Sequence, residues 1–228
     1  MNQTTIKLGF WGAVGSAATF IVFTICFIAI SLTQPLFVWT GMPDFVAYAQ
    51  GNGRFFQYIA QFSMLVFGVL YVVVLNSIHE LAPADKKIFS RNSLSFGLMF
   101  AMLSGANYFV QITAVRFNMN TGQFDELTQA LQANPHSVMS AINMLGITLF
   151  FGLSSLFAAP VFTGGGLGKV IRIAFMLNGL FLLLGAVGYV FQWLILLFLT
   201  VNFGMGASVF VVTTALAAWF RRRAAKSE

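Results

Sequence analysis

The sequence predicts an all-α protein, built as a polytopic transmembrane bundle of six helices with both termini in the cytoplasm. Hydrophobic residues make up 58% of the 228 residues, and charged residues only 8%. An average soluble domain carries about 25% charged residues. This chain therefore has too little polar surface for water, and the bilayer is the solvent that its composition fits. We treat residues 1–228 as a single transmembrane domain.

Six apolar segments are long enough to cross a bilayer as helices, and polar or glycine- and proline-containing stretches separate them. Basic residues lie close to the ends of these segments rather than inside them. The predicted helices cover about residues 6–33, 54–80, 92–116, 136–159, 170–191 and 194–220.

The first apolar segment, 6–33, is too long for a cleavable signal peptide and has no convincing small-residue cleavage site, so we expect a retained helix. The loop that follows extends to Gly53 and is rich in aromatic residues. Within it, Pro43 to Ala49 has two interpretations. It is either a short helix on the membrane surface, with proline at its first position, or an ordinary aromatic-rich loop.

The third helix carries Gly97, Ala101 and Gly105 at four-residue spacing. Small residues at this spacing let another helix approach closely. Ser104, Asn107, Tyr108 and Gln111 follow on a neighbouring face. We therefore expect this helix to be the central one of the bundle.

The fourth helix is expected to begin at Asn134-Pro135, a capping side chain followed by proline at the first helical position, and to end at Pro160. Gln192-Trp193 is the only candidate break between the fifth and sixth helices. A single helix over 170–220 is excluded because about 50 residues, at about 1.5 Å each, would overshoot any bilayer.

The basic residues predict the orientation of the bundle. Positive residues stay preferentially in the cytoplasm. Arg54 and Arg116 fall on one side of the six predicted helices, whereas the other side holds Lys7, Lys86, Lys87, Arg91, Lys169, Arg172, Arg221, Arg222, Arg223 and Lys226. The second side is therefore predicted to be cytoplasmic, and we call it the inner side.

Carboxamide side chains cluster in the outer half of the predicted bundle. They have two interpretations: hydrogen bonds that hold helices together, worth about 0.6 kcal/mol each on average, or a polar cavity that binds a neutral or amphipathic molecule. Under the second interpretation, the ligand-binding residues are Gln61, Asn107, Tyr108, Gln111, Asn143 and Gln192.

Other functional classes are poorly supported. The centre of each predicted helix is free of Asp, Glu, Lys, Arg and His, which argues against a proton-driven pump. His79-Glu80 is not followed by a second histidine at the spacing of a zinc helix. The basic residues form no patch for nucleic acid. We expect no catalytic residue, metal or cofactor.

Three stretches carry a resemblance to a known group: Phe67 to Leu70 leading to His79-Glu80-Leu81, the segment Ser104 to Asn107, and the weakly polar outer loop before the fourth helix. The chain resembles a group of uncharacterised bacterial six-helix membrane proteins classified as a domain of unknown function. The resemblance covers about residues 5–222. It implies a multi-pass protein of a bacterial plasma (inner) membrane, and it implies no activity.

The leading hypothesis is a non-enzymatic protein that binds or transports a small neutral or amphipathic molecule. The alternative is an accessory subunit whose small-residue faces contact a larger membrane partner. The expected partners are therefore the lipid bilayer, together with either an amphipathic ligand or another membrane protein.

Overall fold

A computed structural model describes residues 3–124 and 127–225, so the sequence features at Asp125, Glu126 and Lys226 lie outside the described residues. Apart from short 3-10 turns, these residues form seven helices and no strand. The helices are α1 (Gln3–Thr33), α2 (Met42–Gly51), α3 (Phe55–Leu81), α4 (Ala84–Thr121), α5 (Val138–Val161), α6 (Leu167–Val190) and α7 (Leu194–Ala224). All except α2 are long and apolar enough to cross a membrane. The all-α class with six spans is confirmed, and the chain is a multi-pass membrane protein.

Helix α4 is longer than the sequence predicts at both ends. It begins with a 3-10 turn at Ala84–Lys86 and continues to Thr121, where Gly122 adopts a left-handed backbone (φ 74°) that ends it. Polar residues near each end can be helical outside the hydrocarbon, so hydropathy alone does not mark where this helix stops.

The predicted start of the fourth helix at Asn134-Pro135 is wrong by a few residues. Ser137 is the capping residue of α5, and its hydroxyl accepts a hydrogen bond from the Ser140 backbone N–H at 3.0 Å. The Asn134 side chain instead forms a turn, because its Oδ1 accepts from the His136 N–H at 3.0 Å. Asn134 therefore shapes the approach to the helix rather than capping it.

The outer side carries a small folded layer, which we call the cap: residues 34–53, which contain α2, and the described part of residues 122–137. The segment from Pro43 to Ala49 is therefore helical, as the first of its two interpretations predicts. Phe45 of α2 is buried against Val115 of α4 and against Leu127 and Leu131. The cap is held to the bundle by its own small apolar core.

The six spans form a ring in which each packs against its neighbours in the sequence, and α7 returns to α1. Helix α4 occupies one position in this ring, mainly between α3 and α5, so the prediction of a central α4 is wrong. Its small residues face both neighbours: Gly97 lies against Leu75 of α3 and Ser154 of α5. Small residues that let neighbouring helices approach α4 on two sides are therefore as compatible with a position in the ring as with a central position.

The middle of the ring is filled by stacked aromatic side chains. Phe100 and Phe151 stack with ring centroids 4.5 Å apart, and Phe67 and Tyr71 pack on them. The Tyr71 hydroxyl lies 3.0 Å from Ser154 Oγ, which donates to the Ser93 carbonyl at 2.8 Å. The polar groups of this region therefore satisfy one another.

The contact between α1 and α7 is confined to the inner half of the bundle. There the Phe220 ring lies directly against Gly9, where no larger side chain fits. The outer part of α7, Leu194 to Met205, packs instead against α6. The ring is consequently open between α1 and α7 in its outer half.

Candidate functional site

A cavity of about 1240 Å³ occupies the opening between the outer halves of α1 and α7. Pockets for drug-sized ligands usually measure about 300–1000 Å³. Helices α3, α4 and α5 form the wall opposite the opening through Gln61, Tyr108 and Asn143, and we call this the inner wall. Gln132 and Ala133 of the cap line the end of the cavity that is nearest the outer side. The space is large enough for a lipid-sized molecule.

The mouth of the cavity is apolar. Ile25 and Ile28 of α1 and Phe198 and Phe203 of α7 line it, and each of these side chains is at least half exposed. Both helices are membrane spans, so their exposed apolar side chains face hydrocarbon. A molecule dissolved in the bilayer can therefore reach the cavity sideways between α1 and α7.

The inner wall presents polar atoms that the protein leaves unpaired. Gln61 is 6% exposed and Asn143 is 0% exposed. Within the described part of the chain, Gln61 Oε1 has no hydrogen-bond partner. The Asn143 amide meets the Tyr108 hydroxyl, which can pair one of its two polar atoms and leaves the other without a partner. Buried polar groups in native proteins are nearly always paired, so these atoms need an explanation.

Asn107 and Gln111 point to the cap instead of the cavity. Gln111 Nε2 donates to the Ala130 carbonyl at 2.6 Å, and Gln111 Oε1 accepts from the Gln132 N–H at 3.2 Å. Asn107 Nδ2 donates to Gln132 Oε1 at 3.1 Å. These two amides are structural ties, although they tie a helix to a loop rather than to another helix.

Gln192 does not line the cavity with the other predicted ligand-binding residues. It is exposed and forms the tight turn between α6 and α7 with a left-handed backbone (φ 57°), and its Nε2 donates to the Tyr189 carbonyl at 3.1 Å. The predicted break at Gln192-Trp193 is confirmed. A residue that makes such a turn lies at the membrane surface, so the structure places its side chain away from the cavity.

Several lining residues are not among the predicted set. Gln57 lies one helical turn before Gln61 and lines the cavity with it, which the four-residue spacing already indicates. Asn202 of α7 also lines the cavity, and its Nδ2 donates to its own helix at the Phe198 carbonyl. Gln132 belongs to a loop, whose path carries no periodic signal, so the sequence does not place it there.

Three of the described spans contain a π-helical segment: Gln111–Val115 in α4, Leu145–Phe151 at the middle of α5 and Leu199–Met205 in α7. Ile147 of the second and Val201 to Phe203 of the third line the cavity, whereas the first does not. Such segments are rare and occur frequently at functional sites. The two that border the cavity add to the case for a functional site.

Arg54 stands just outside the cavity at the start of α3. Its guanidinium lies 5.6 Å from the Phe45 ring centroid and 5.2 Å from that of Tyr58, and its Nε donates to Gln57 Oε1 at 3.3 Å. Burial lowers the pKa of Arg54 below its ordinary value. Asp, Glu, Lys, Arg and His are absent from the described residues that line the cavity.

Comparison with known proteins gives no match for this chain, whether with protein-family models, with curated proteins or with solved structures.

Proposed function

We propose that this protein binds, or carries across the outer half of the membrane, a small neutral or amphipathic molecule held in the cavity between α1 and α7. The observation that carries the proposal is the combination of an apolar mouth with unpaired amide atoms on the inner wall. An amphipathic molecule matches both parts, since its apolar portion replaces lipid and its polar portion pairs Gln61 and Asn143.

The proposed setting is the plasma membrane of a bacterium, with both termini in the cytoplasm and the cavity in the outer half. The positive-inside distribution of the basic residues supports this orientation, and the resemblance described above supports the bacterial origin. The proposed role is non-enzymatic.

The test is whether the purified protein retains a molecule in this cavity. Gly206 of α7 lines the cavity and has a helical backbone, and a Cβ atom added to it would meet no other atom within 4 Å. Gly206→Trp should therefore place an indole ring in the cavity and obstruct it without disturbing the helix. Val69→Trp is the control, because Val69 is 61% exposed on α3 and does not line the cavity.

Native mass spectrometry after purification in mild detergent should show a bound molecule in the wild type and in Val69→Trp, and none in Gly206→Trp. Equal retention by all three would place the molecule elsewhere and contradict the proposal. Copurification of another polypeptide without any bound molecule would favour the accessory-subunit function instead.

A further inference from the structure

We infer that the molecule bound in this cavity is a lipid whose head group is uncharged and carries both a hydrogen-bond donor and an acceptor, as an alcohol or a carboxamide does. This inference rests on the proposed function and names the class of ligand for the same site. It follows from three properties of the cavity: its charge, its unpaired atoms and its shape.

The charge of the head group follows from the lining residues. Every polar side chain among the described lining residues is an amide, a hydroxyl or a phenol. A phosphate or an ammonium group placed among them, beneath the cap and away from water, would have no opposite charge to offset its lost hydration. The nearby Arg54 guanidinium lies over Phe45 and Tyr58 and is not part of the lining. Its Nε donates to Gln57 Oε1, whereas its buried Nη1 has no hydrogen-bond partner among the described residues, so the comparison with a charged lipid below tests its influence. The site therefore favours an uncharged head.

The donor and acceptor requirement follows from the unpaired atoms. Gln61 Oε1 requires a donor. If the Tyr108 hydroxyl donates to Asn143 Oδ1, Asn143 Nδ2 still requires an acceptor. If the hydroxyl accepts from Asn143 Nδ2, Asn143 Oδ1 still requires a donor and the hydroxyl itself requires an acceptor. Turning the Asn143 amide by 180° exchanges its two atoms and leaves this requirement unchanged. A ketone or a fully esterified glycerol supplies acceptors alone and cannot satisfy the site. A free hydroxyl or a carboxamide supplies both.

The tail requirement follows from the shape. The mouth between α1 and α7 is lined by exposed apolar side chains from Ile21 to Leu32 on one side and from Leu194 to Phe210 on the other. An acyl chain in this opening lies where the adjacent lipid tails lie. The head then reaches Gln61 and Asn143 without leaving the membrane, so the ligand approaches from the outer leaflet rather than from water.

The experiment compares three lipids that share oleoyl chains and differ in their heads. Dioleoylglycerol carries one free hydroxyl, its methyl ether has the same two chains and no donor, and dioleoyl phosphatidic acid is charged. Each is added at the same concentration to delipidated protein, and bound lipid is counted by native mass spectrometry. We expect dioleoylglycerol to bind at least about tenfold more tightly than either of the others, since a polar site rejects a ligand that leaves its groups unpaired.

The double variant Gln61→Leu/Asn143→Leu should remove this preference while lipid binding itself persists. Asn76→Leu is the matched control, because the Asn76 amide is exposed to lipid on α3 and donates to the Val72 carbonyl of its own helix. That variant should keep the wild-type preference.

The outcomes separate the two proposals. Equal binding of the three lipids, abolished by Gly206→Trp, would overturn the head-group inference and leave the binding function standing. Absence of binding by every lipid, or binding that Gly206→Trp does not affect, would overturn both. Tighter binding of phosphatidic acid would show that a cation such as Arg54 takes part and would also overturn the inference.

Discussion

The buried amides of the outer half differ in how completely they are hydrogen-bonded. Gln111 gives and receives hydrogen bonds with the cap, whereas Asn143 meets the Tyr108 hydroxyl and retains an unpaired amide atom. Asn107 is intermediate, because its Nδ2 is paired and its Oδ1 is not. A paired buried amide stabilises a protein modestly, and an unpaired polar atom destabilises it, so Gln111 and Asn143 should respond to the same substitution in opposite directions.

Gln111→Leu should destabilise the protein by about 1–3 kcal/mol, because it leaves the Gln132 N–H and the Ala130 carbonyl without their partner. Thermal unfolding in detergent measures this, and hydrogen exchange of residues 127–134 should rise as the cap loosens. Asn118→Leu is the control, since that side chain donates to the Ala114 carbonyl of its own helix. Unchanged unfolding of Gln111→Leu would mean that these contacts do not hold the cap.

Asn143→Leu should leave the delipidated protein at least as stable as the wild type. The substitution replaces an amide that is incompletely paired by an apolar side chain of similar size, so it removes a penalty of about 1–3 kcal/mol. Thermal unfolding of both proteins after delipidation gives the comparison. A fall in melting temperature as large as that of Gln111→Leu would show that Asn143 is fully paired in the protein and would weaken the case for a ligand.

At the scale of helices, the seam between α1 and α7 differs along its length. In the inner half Gly9 permits contact with Phe220, whose ring is fully buried. In the outer half α7 follows α6 instead, and its path is held by the approach of Gly188 on α6 to Leu197 on α7. The cavity exists because α7 contacts α1 in the inner half of the bundle but follows α6 away from α1 in the outer half.

Gly9→Ala should separate α1 from α7 and destabilise the protein by about 1–3 kcal/mol, as added volume in a packed contact does. Gly206→Ala is the matched control on the same seam, because a methyl group there meets open space. That control should be stabilised by about 0.5–1 kcal/mol through its helix propensity. Thermal unfolding measures both, and an unaffected Gly9→Ala protein would show that the inner seam is not close-packed.

At the scale of the whole molecule, the ring of six spans places both ends of the described chain on one side and the cap on the other. The distribution of the basic residues predicts that the first side is cytoplasmic. The cap then covers the cavity from the outer water, and the lateral opening is its connection to the membrane.

Single cysteines test this orientation in a Cys26→Ser background, which removes the buried native thiol. Gln123→Cys lies exposed in the cap and should react with a membrane-impermeant maleimide on intact cells. Gly165→Cys lies exposed in the turn between α5 and α6 and should react only after the membrane is permeabilised. Labelling of Gly165→Cys on intact cells would reverse the predicted orientation.

Much of the architecture is determined by the sequence alone. Long apolar segments must be helical in lipid, because every backbone polar group there needs a partner within its own segment. For this reason the six spans, the break at Gln192-Trp193 and the outer-half concentration of amides all follow from the order of the residues. The start of α5 does not, because Asn134 and Ser137 are both good caps, and only the local turn decides between them.

The tertiary structure alone decided which amides share a site. Gln61, Tyr108 and Asn143 come from three helices, and their meeting depends on the rotation of each helix within the ring. Helical periodicity fixes the face on which a residue lies, but it does not fix which neighbour that face meets. By spacing, Asn107 and Gln111 are indistinguishable from cavity residues, yet they bind a loop that has no periodicity. The seam between α1 and α7, closed at one end and open at the other, likewise follows from packing between distant parts of the chain.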